Sequence, residues 1–449
     1  MPFNPLCIIV ALTGLYLLFK LRFFFIIHPV RALRLTISSL KRRSTARALF
    51  LALSGTLGVG NVLGVAVGII TGGAGSVFWM LLSALFASVL KYSEVVLSQD
   101  SSRREDGAKH GGMTYVLRRS FGKMGAPLSL IYSSCVILLS LFMGAALQSA
   151  ALVSSVNVIF DTPPTLTAVI LAFCVLLSVV GGAKIIEKIA AVVIPLTTII
   201  YIFLALSVVF VCRAHLPVAI ESILRGAISA EGAFGGIFGF FFSRAVSEGF
   251  ARGLLSNEAG AGTSSMAHAR TESMNPAQMG LMGIVEVFFD TTLLCTLTAL
   301  MILTSVGDIT AFTTGMPLVL TAVTGALGTP FSFVLALCVA AFAISTVNCW
   351  YFYGCEALSS LLGGTPPLYL PVYLAFVILG HTFSEGMLVF VTDLLLLLLT
   401  LLTTCVLIKK SDRILHLSES GGVIPRHGKY LNLRIPSGRG LALNKPDKR

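Results

Sequence analysis

The residues with the most chemistry to offer are Gly55-Thr-Leu-Gly-Val-Gly-Asn-Val-Leu-Gly64. They set four glycines and an asparagine inside a hydrophobic run long enough to cross a membrane. Glycine destabilises a helix interior because it gains the most backbone freedom on unfolding and packs nothing. So dense a cluster predicts a helix that unwinds. Unwound backbone at membrane depth is tolerated only where it faces protein or a water-filled cavity. Its freed N–H and C=O groups can then hold a small ion or solute. A second run, Gly232-Ala-Phe-Gly-Gly-Ile-Phe-Gly239, predicts another interruption. Taken singly, either run also fits close helix packing of the GxxxG kind. Neither is a dinucleotide fingerprint, which needs GxGxxG after a strand.

The elements that carry these runs are membrane helices. Of 449 residues, 56% are hydrophobic and only 12% charged, about half the charged fraction of a soluble domain. Mean hydropathy is +0.91. The net charge of +12 is concentrated in two places: Arg31 to Arg47 holds six basic and no acidic residues, and Lys409 to Arg449 holds ten basic against three acidic. Both clusters flank apolar segments, so they read as topology signals rather than a nucleic-acid surface. The nine cysteines lack metal-ligand spacing and lie mostly in apolar runs, which suits small core hydrophobes better than disulfides or zinc. Leu6 to Phe19 has no basic residue before it and no A-x-A-like cleavage site after it. It is expected to stay as an anchor helix rather than serve as a signal peptide.

At roughly 20 apolar residues per crossing, eleven spans are expected. The anchor helix falls at about 6–27, and core helices at about 45–71, 75–98, 128–157, 165–182, 189–212, 233–252, 278–304, 331–362, 367–381 and 385–408. An odd count puts the N-terminus outside and the C-terminus in the cytoplasm. The basic loops 31–47, 99–126 and 182–188 and the tail 409–449 then all fall inside. Behind the anchor segment 1–30, the ten core helices divide into repeats of five, 45–212 and 233–408. Five is odd, so the second repeat is inverted, and each opens on a glycine-broken helix. Paired interruptions at corresponding positions of inverted repeats point to the binding site of a secondary transporter.

Three blocks carry a family resemblance. They are Gly55 to Val65 with Gly72-Gly-Ala-Gly-Ser-Val-Phe-Trp79 and Lys91-Tyr-Ser-Glu94, then Gly249-Phe-Ala-Arg-Gly-Leu-Leu-Ser-Asn-Glu-Ala-Gly-Ala-Gly262 with His268, and Phe289-Asp-Thr291 through Cys295-Thr-Leu-Thr-Ala-Leu300. Trp350-Tyr-Phe-Tyr-Gly354 adds a weaker fourth. From the anchor helix to about residue 408, the chain resembles the alanine or glycine:cation symporters, also called sodium:alanine symporters. The resemblance implies an all-α integral membrane protein of the leucine-transporter type, with a 5+5 inverted repeat and an N-terminal anchor helix. It implies sodium-coupled import of small neutral amino acids, Na+ as coupling ion, no other cofactor and no catalytic site. The setting implied is a multi-pass plasma-membrane protein, the inner membrane in a bacterium.

Under that resemblance each motif residue acquires a role. N–H groups around Gly58, Val59 and Gly60, at the positive end of a half-helix, would receive the amino acid's carboxylate, with Gly58 and Gly60 as its main contacts. Thr56 and Asn61 would offer oxygen to sodium, a hard cation. Ser345 and Thr346 match the region that completes a second sodium site; hydroxyls bonded back to their own helix are the competing reading. Gln148 and Trp350 are expected to face the amino acid, although an interfacial belt also explains a membrane tryptophan. Ile237 and Phe238 would close the pocket on small side chains. Arg252, Asn257 and Glu258, read at the cytoplasmic end of the sixth helix, are expected to gate or anchor, as is Asp290. Lys91 and Glu94, three apart at the end of the second helix, read as a snorkelling ion pair.

Several positions depart from the family pattern. Val59 stands where a hydroxyl residue is usual, Asn348 and Cys349 replace a more apolar pair, and Thr392-Asp-Leu-Leu-Leu-Leu lacks the usual following Asn and Pro. Glu286 is an extra carboxylate four residues before Asp290, on the same helix face. Intramembrane ionisable residues are functional candidates, so the pair is expected to titrate together and add proton sensitivity. A hydrated vestibule is the alternative. The rival functions are a proton-coupled or other small-solute symporter on the same scaffold, a channel, and a membrane enzyme on a lipid-linked substrate. The enzyme would have only Glu105, Asp106 and His110 as clustered candidates.

Overall fold

Long runs of Leu, Ile, Val, Ala and Phe fold as helices here because in lipid each segment must pair its own backbone polar groups. The computed structural model describes residues 5–105, 108–228, 243–271 and 275–425. The chain begins with α1 (Leu6–Lys20) and α2 (Pro29–Leu40) and continues through α3 (Arg43–Thr56), α4 (Gly60–Gly72) and α5 (Gly75–Ser101). A short antiparallel hairpin, β1 (Arg103–Glu105) with β2 (Ala108–His110), pairs Arg103 with His110. There follow α6 (Met113–Ser120), α7 (Gly122–Asn157), α8 (Pro164–Val180), α9 (Ala183–Val211), α10 (Leu216–Ala227), α11 (Arg244–Asn257) and α12 (Ser265–Ala269). The remaining helices are α13 (Pro276–Ser305), α14 (Gly315–Leu327), α15 (Pro330–Leu362), α16 (Tyr369–Thr382), α17 (Glu385–Lys409) and α18 (Ser411–Ser420).

Among the described residues, α5, α7, α9, α13, α15 and α17 are each long and apolar enough to cross a membrane, and α3 with α4 forms a further span bent by 52°. The shorter apolar helices are α1, α8, α14 and α16. Along α9, Val192, Leu196, Ile199, Phe203, Leu206 and Phe210 are exposed at three- to four-residue spacing, the stripe of a helix whose outer face meets lipid. Local signals set the helix ends. Ser243 caps α11 by accepting the Val246 N–H, and Ser384 caps α17 by accepting that of Met387. Pro330 opens α15 and Gly363, at φ 76°, closes it.

The structure differs from the sequence reading in four places. The basic segment 31–47 is not a loop: α2 occupies most of it, with Val30, Leu33 and Ile37 exposed on one face. Residues 183–188 likewise begin α9, with Gly182 as its N-cap. The described start of the tail is structured: α18, and Val423 and Ile424 behind it, are packed against the bundle. Arg22 bonds Glu419 at 2.9 Å and the Pro425 carbonyl at 3.0 Å, and Tyr92 bonds Ser418 at 2.7 Å. The fourth difference concerns the sixth helix. Gly232 to Gly239, with Ile237 and Phe238, lies outside the described residues. The described helix runs on to Asn257 and breaks at 258–264. Glu258, Gly260 and Gly262 there take φ values of 54°, 90° and 75°, a region open to glycine and strained for glutamate.

Candidate functional site

The first break forms because Leu57 leaves helical geometry and the next turn, Gly60–Gly64, winds as a π-helix. The Gly58 N–H donates to Asn61 Oδ1 at 3.0 Å, and the Val59 N–H donates to Gln148 Oε1 at 3.2 Å. These are the backbone donors that the sequence offers to a carboxylate, and here side-chain oxygens occupy them. A Cβ on Gly58 would lie 2.9 Å from Thr346 Oγ1 and 3.2 Å from Gln148 Oε1, so the close approach requires glycine. The Thr346 hydroxyl reaches over to the Leu57 carbonyl at 3.3 Å. The hydroxyls of Thr56 and Ser345 are buried without a partner among the described residues. Such orphans are uncommon in native interiors and call for an explanation.

Asn61 ties three helices together. Its amide nitrogen donates to Asp290 Oδ1 at 2.7 Å and to Ser256 Oγ at 2.9 Å. The second oxygen of Asp290 accepts from Ser256 at 2.8 Å and Thr291 at 2.7 Å, and Asn257 donates to Thr291 at 3.0 Å. Every one of these side chains is buried. No ion pair to Asp290 occurs among the described residues. The carboxylate therefore sits in the interior with neutral donors only. Its position owes something to a second π-helical segment, Phe288–Cys295, whose five-residue step brings Cys295 Sγ to the same side, 3.4 Å from Ser256. A third, Ser140–Leu147, immediately precedes Gln148 in α7. Three π-segments thus converge on one place, a pattern frequent at functional sites.

A cavity of about 470 Å³ opens beside the break, within the size range of small-molecule sites. Thr56, Gly58 and Gly60 form its floor with Gln148, while Arg252 and Leu255 of α11 form one wall. Its mouth lies between Thr313 to Met316 and the α16–α17 junction, where Glu385 stands. Val59 also faces the cavity, so the departure noted in the sequence bears on its lining.

The structure gathers Thr56, Gly58, Gly60, Asn61, Gln148, Thr346 and Asp290 at the first break. It does not bring Trp350 to the cavity wall. The indole is fully buried against Gly144 of α7, edge-on to Tyr353 at 5.4 Å. Leu255 reaches the cavity from α11; Phe238 lies outside the described residues. Arg252 lines the cavity and bonds Glu248 at 3.2 Å. Asn257 is the last residue of α11 and is buried, Ser256 beside it touches Asn61, and Glu258 follows at the C-cap with φ 54°. Glu286 does not pair with Asp290. It bonds Lys91 at 3.0 Å, His268 at 3.0 Å and Ser264 at 3.1 Å. Lys91 is accordingly buried and does not snorkel. Asp106 lies outside the described residues, and His110 pairs with Glu356 at 2.9 Å. Ser256 and Thr291 also belong to the site, and their only signal in the sequence is a place beside Asn257 and Asp290 within the family-like motifs.

A family model described as "Sodium:alanine symporter family" matches residues 2–418. The chain is 30% identical over 398 residues to an uncharacterised transporter of Haemophilus influenzae, covering 87% of each. It is 29% identical over 369 residues to the sodium/alanine symporter AgcS of Methanococcus maripaludis, covering 78% of this chain and 79% of that one. A putative sodium/proton-dependent alanine carrier of Bacillus subtilis is 33% identical over 260 residues, 58% of this chain and 52% of that one. Among solved structures, MhsT in complex with L-phenylalanine superposes with a TM-score of 0.54 at 14% identity, covering 84% of this chain and 96% of that one. That likeness carries the fold alone, the leucine-transporter type.

Proposed function

This chain belongs to the sodium:alanine symporter family, a multi-pass membrane transporter and not an enzyme, and from that premise we propose that it imports small neutral amino acids with sodium by alternating access. The observation that carries the proposal is the Asp290 carboxylate, buried beside the break with Asn61 and Ser256 as neutral partners. A buried charge without a counter-charge costs several kcal/mol, and a sodium ion entering there would supply it. Asn61 would turn its oxygen from the Gly58 N–H to the ion. The released Gly58 N–H, together with that of Gly60, would then receive the substrate carboxylate, and Gln148 moving aside would free the Val59 N–H between them. Thr56, Ser345 and Thr346 would form the second sodium position, which gives the two orphaned hydroxyls a purpose. Leu255 and Val59 would restrict side-chain size, and Arg252, held by Glu248, would order the wall beside them. The basic end of the bundle, with α2, the hairpin and α18, is assigned to the cytoplasm, and the cavity mouth to the outside.

Two measurements test this reading. In competition against labelled alanine, glycine and serine should displace the label while leucine and phenylalanine should not; displacement by the bulky pair would contradict the proposed lining. Asn61→Ala removes a donor to Asp290 and the acceptor for Gly58. At about 1–3 kcal/mol for a lost buried hydrogen-bond partner, half-activation by sodium should shift upward roughly 5- to 150-fold. Unchanged sodium activation would reduce Asn61 to a residue that merely shapes the break.

A further inference from the structure

Below Asp290, toward the basic end, lies a second group of buried ionisable side chains that substrate binding does not use. Lys91, Glu94, Glu258, His268 and Glu286 are each 1% exposed or less. Glu286 is saturated by Lys91, His268 and Ser264. Glu94 and Glu258 are not. Glu94 Oε1 accepts the Gly260 N–H at 2.6 Å and Glu258 Oε2 accepts the Thr263 hydroxyl at 2.5 Å. Their other oxygens, Glu94 Oε2 and Glu258 Oε1, have no partner among the described residues. Two further polar atoms in the same neighbourhood are orphaned, His268 Nδ1 and the Tyr353 hydroxyl.

The charge balance says what is missing. Three carboxyls face one ammonium and one imidazole, so even an imidazolium leaves an uncompensated negative charge. The titratable groups in range are Tyr132 from α7, Cys349 and Tyr353 from α15, and Asp290 from α13. None of them adds a positive charge. Among the described residues, no three His, Cys, Asp or Glu side chains converge to hold a metal ion. A carboxyl that takes a proton needs no such shell. It loses its charge and gains one donor.

We propose that Glu94 and Glu258 form a proton-binding site on the break of the sixth helix, and that its occupancy holds the basic end of the transporter closed. Both carboxyls are fastened to the break: Glu258 is its first residue, and Glu94 holds the Gly260 N–H. Ser256 and Asn257, just before the break, grip Asp290 and Thr291. Loss of the proton leaves a carboxylate that is stable only where water reaches it, so deprotonation favours opening of this end. Acidification favours closure. The link to transport rests on the symport reading; the site itself does not.

The test uses the full chain in lipid bilayers and infrared difference spectra recorded as pH is raised. Wild type is expected to show the C=O stretch of protonated carboxyl groups at neutral pH and to lose it in alkali. Glu94→Gln and Glu258→Gln, which mimic the protonated form in shape, should each lose part of that band. A wild-type chain without the band at neutral pH overturns the proposal before any variant is made. Folded variants that both keep the full band overturn it as well. In parallel, sodium-driven uptake should rise with internal pH in wild type, by up to about tenfold per unit for one linked proton, and lose that slope in both variants. Equal slopes in all three overturn the link to opening. Sodium-dependent uptake without the band would reject only this site, and a band without sodium-dependent uptake would reject only the symport reading.

Discussion

Asp290→Asn is expected to leave a folded protein that no longer responds to sodium. The substitution keeps the shape and removes a carboxylate that is buried beside the first break with no counter-charge paired to it among the described residues. The differential binding lost is about 3 kcal/mol, taking the lower bound for stranding a buried partner, which raises half-activation by sodium roughly 100-fold. Thermal stability supplies an independent signature. A ligand that binds only the folded state raises the melting temperature, so sodium should stabilise wild type. In Asp290→Asn the sodium-free protein should be more stable than wild type, because an unpaired buried charge is gone, and added sodium should change little. A merely structural aspartate would do the opposite: its loss would lower stability at every sodium concentration. Melting curves over a sodium series, in buffers balanced with choline, separate the two.

Gly144→Ala is expected to cost more stability than any other single methyl group near the site. A Cβ there would fall 2.2 Å from Trp350 Cβ and 2.5 Å from its Cγ. Those atoms lie next to the backbone, so a rotamer change cannot clear them and α7 must move off α15. Overpacking of this kind costs about 1–3 kcal/mol and sometimes more. The same displacement draws Gln148 and Thr346 away from the break, so uptake should fall further than stability alone explains. Gly325→Ala on α14, where nothing lies within 4 Å of the added methyl, serves as the control and should be nearly neutral. Heating detergent-solubilised protein and measuring the monodisperse fraction checks both. Equal melting of the two variants would contradict the packing argument.

The first break was legible because its glycines and asparagine have no reason to sit in a lipid-spanning helix unless the helix opens. The hydrophobic spans were legible for the complementary reason. The turn at 258–264 was not, while the interruption expected at Gly232 to Gly239 lies outside the described residues. Arg252, Asn257 and Glu258 looked like residues of a membrane surface, since charge inside hydrocarbon is costly. The fold meets that cost by placing Glu258 near Lys91 and giving Arg252 the cavity wall and Glu248. Lys91 and Glu94 misled in the same way. Their spacing suggests a local pair, but the lysine reaches Glu286, 195 positions along the chain. Spacing reports neighbours on one helix and is silent about partners across helices. Trp350 illustrates the limit of a motif: it marks a conspicuous residue, while the absent side chain of Gly144 decides where the ring rests.

The most direct test of the central claim is uptake of labelled alanine into proteoliposomes made with the full chain, with an inward sodium gradient and with sodium equal on both sides. Accumulation above the external concentration only under the gradient, abolished by Asp290→Asn, is the predicted result. Equilibration at the same rate with or without sodium would contradict it.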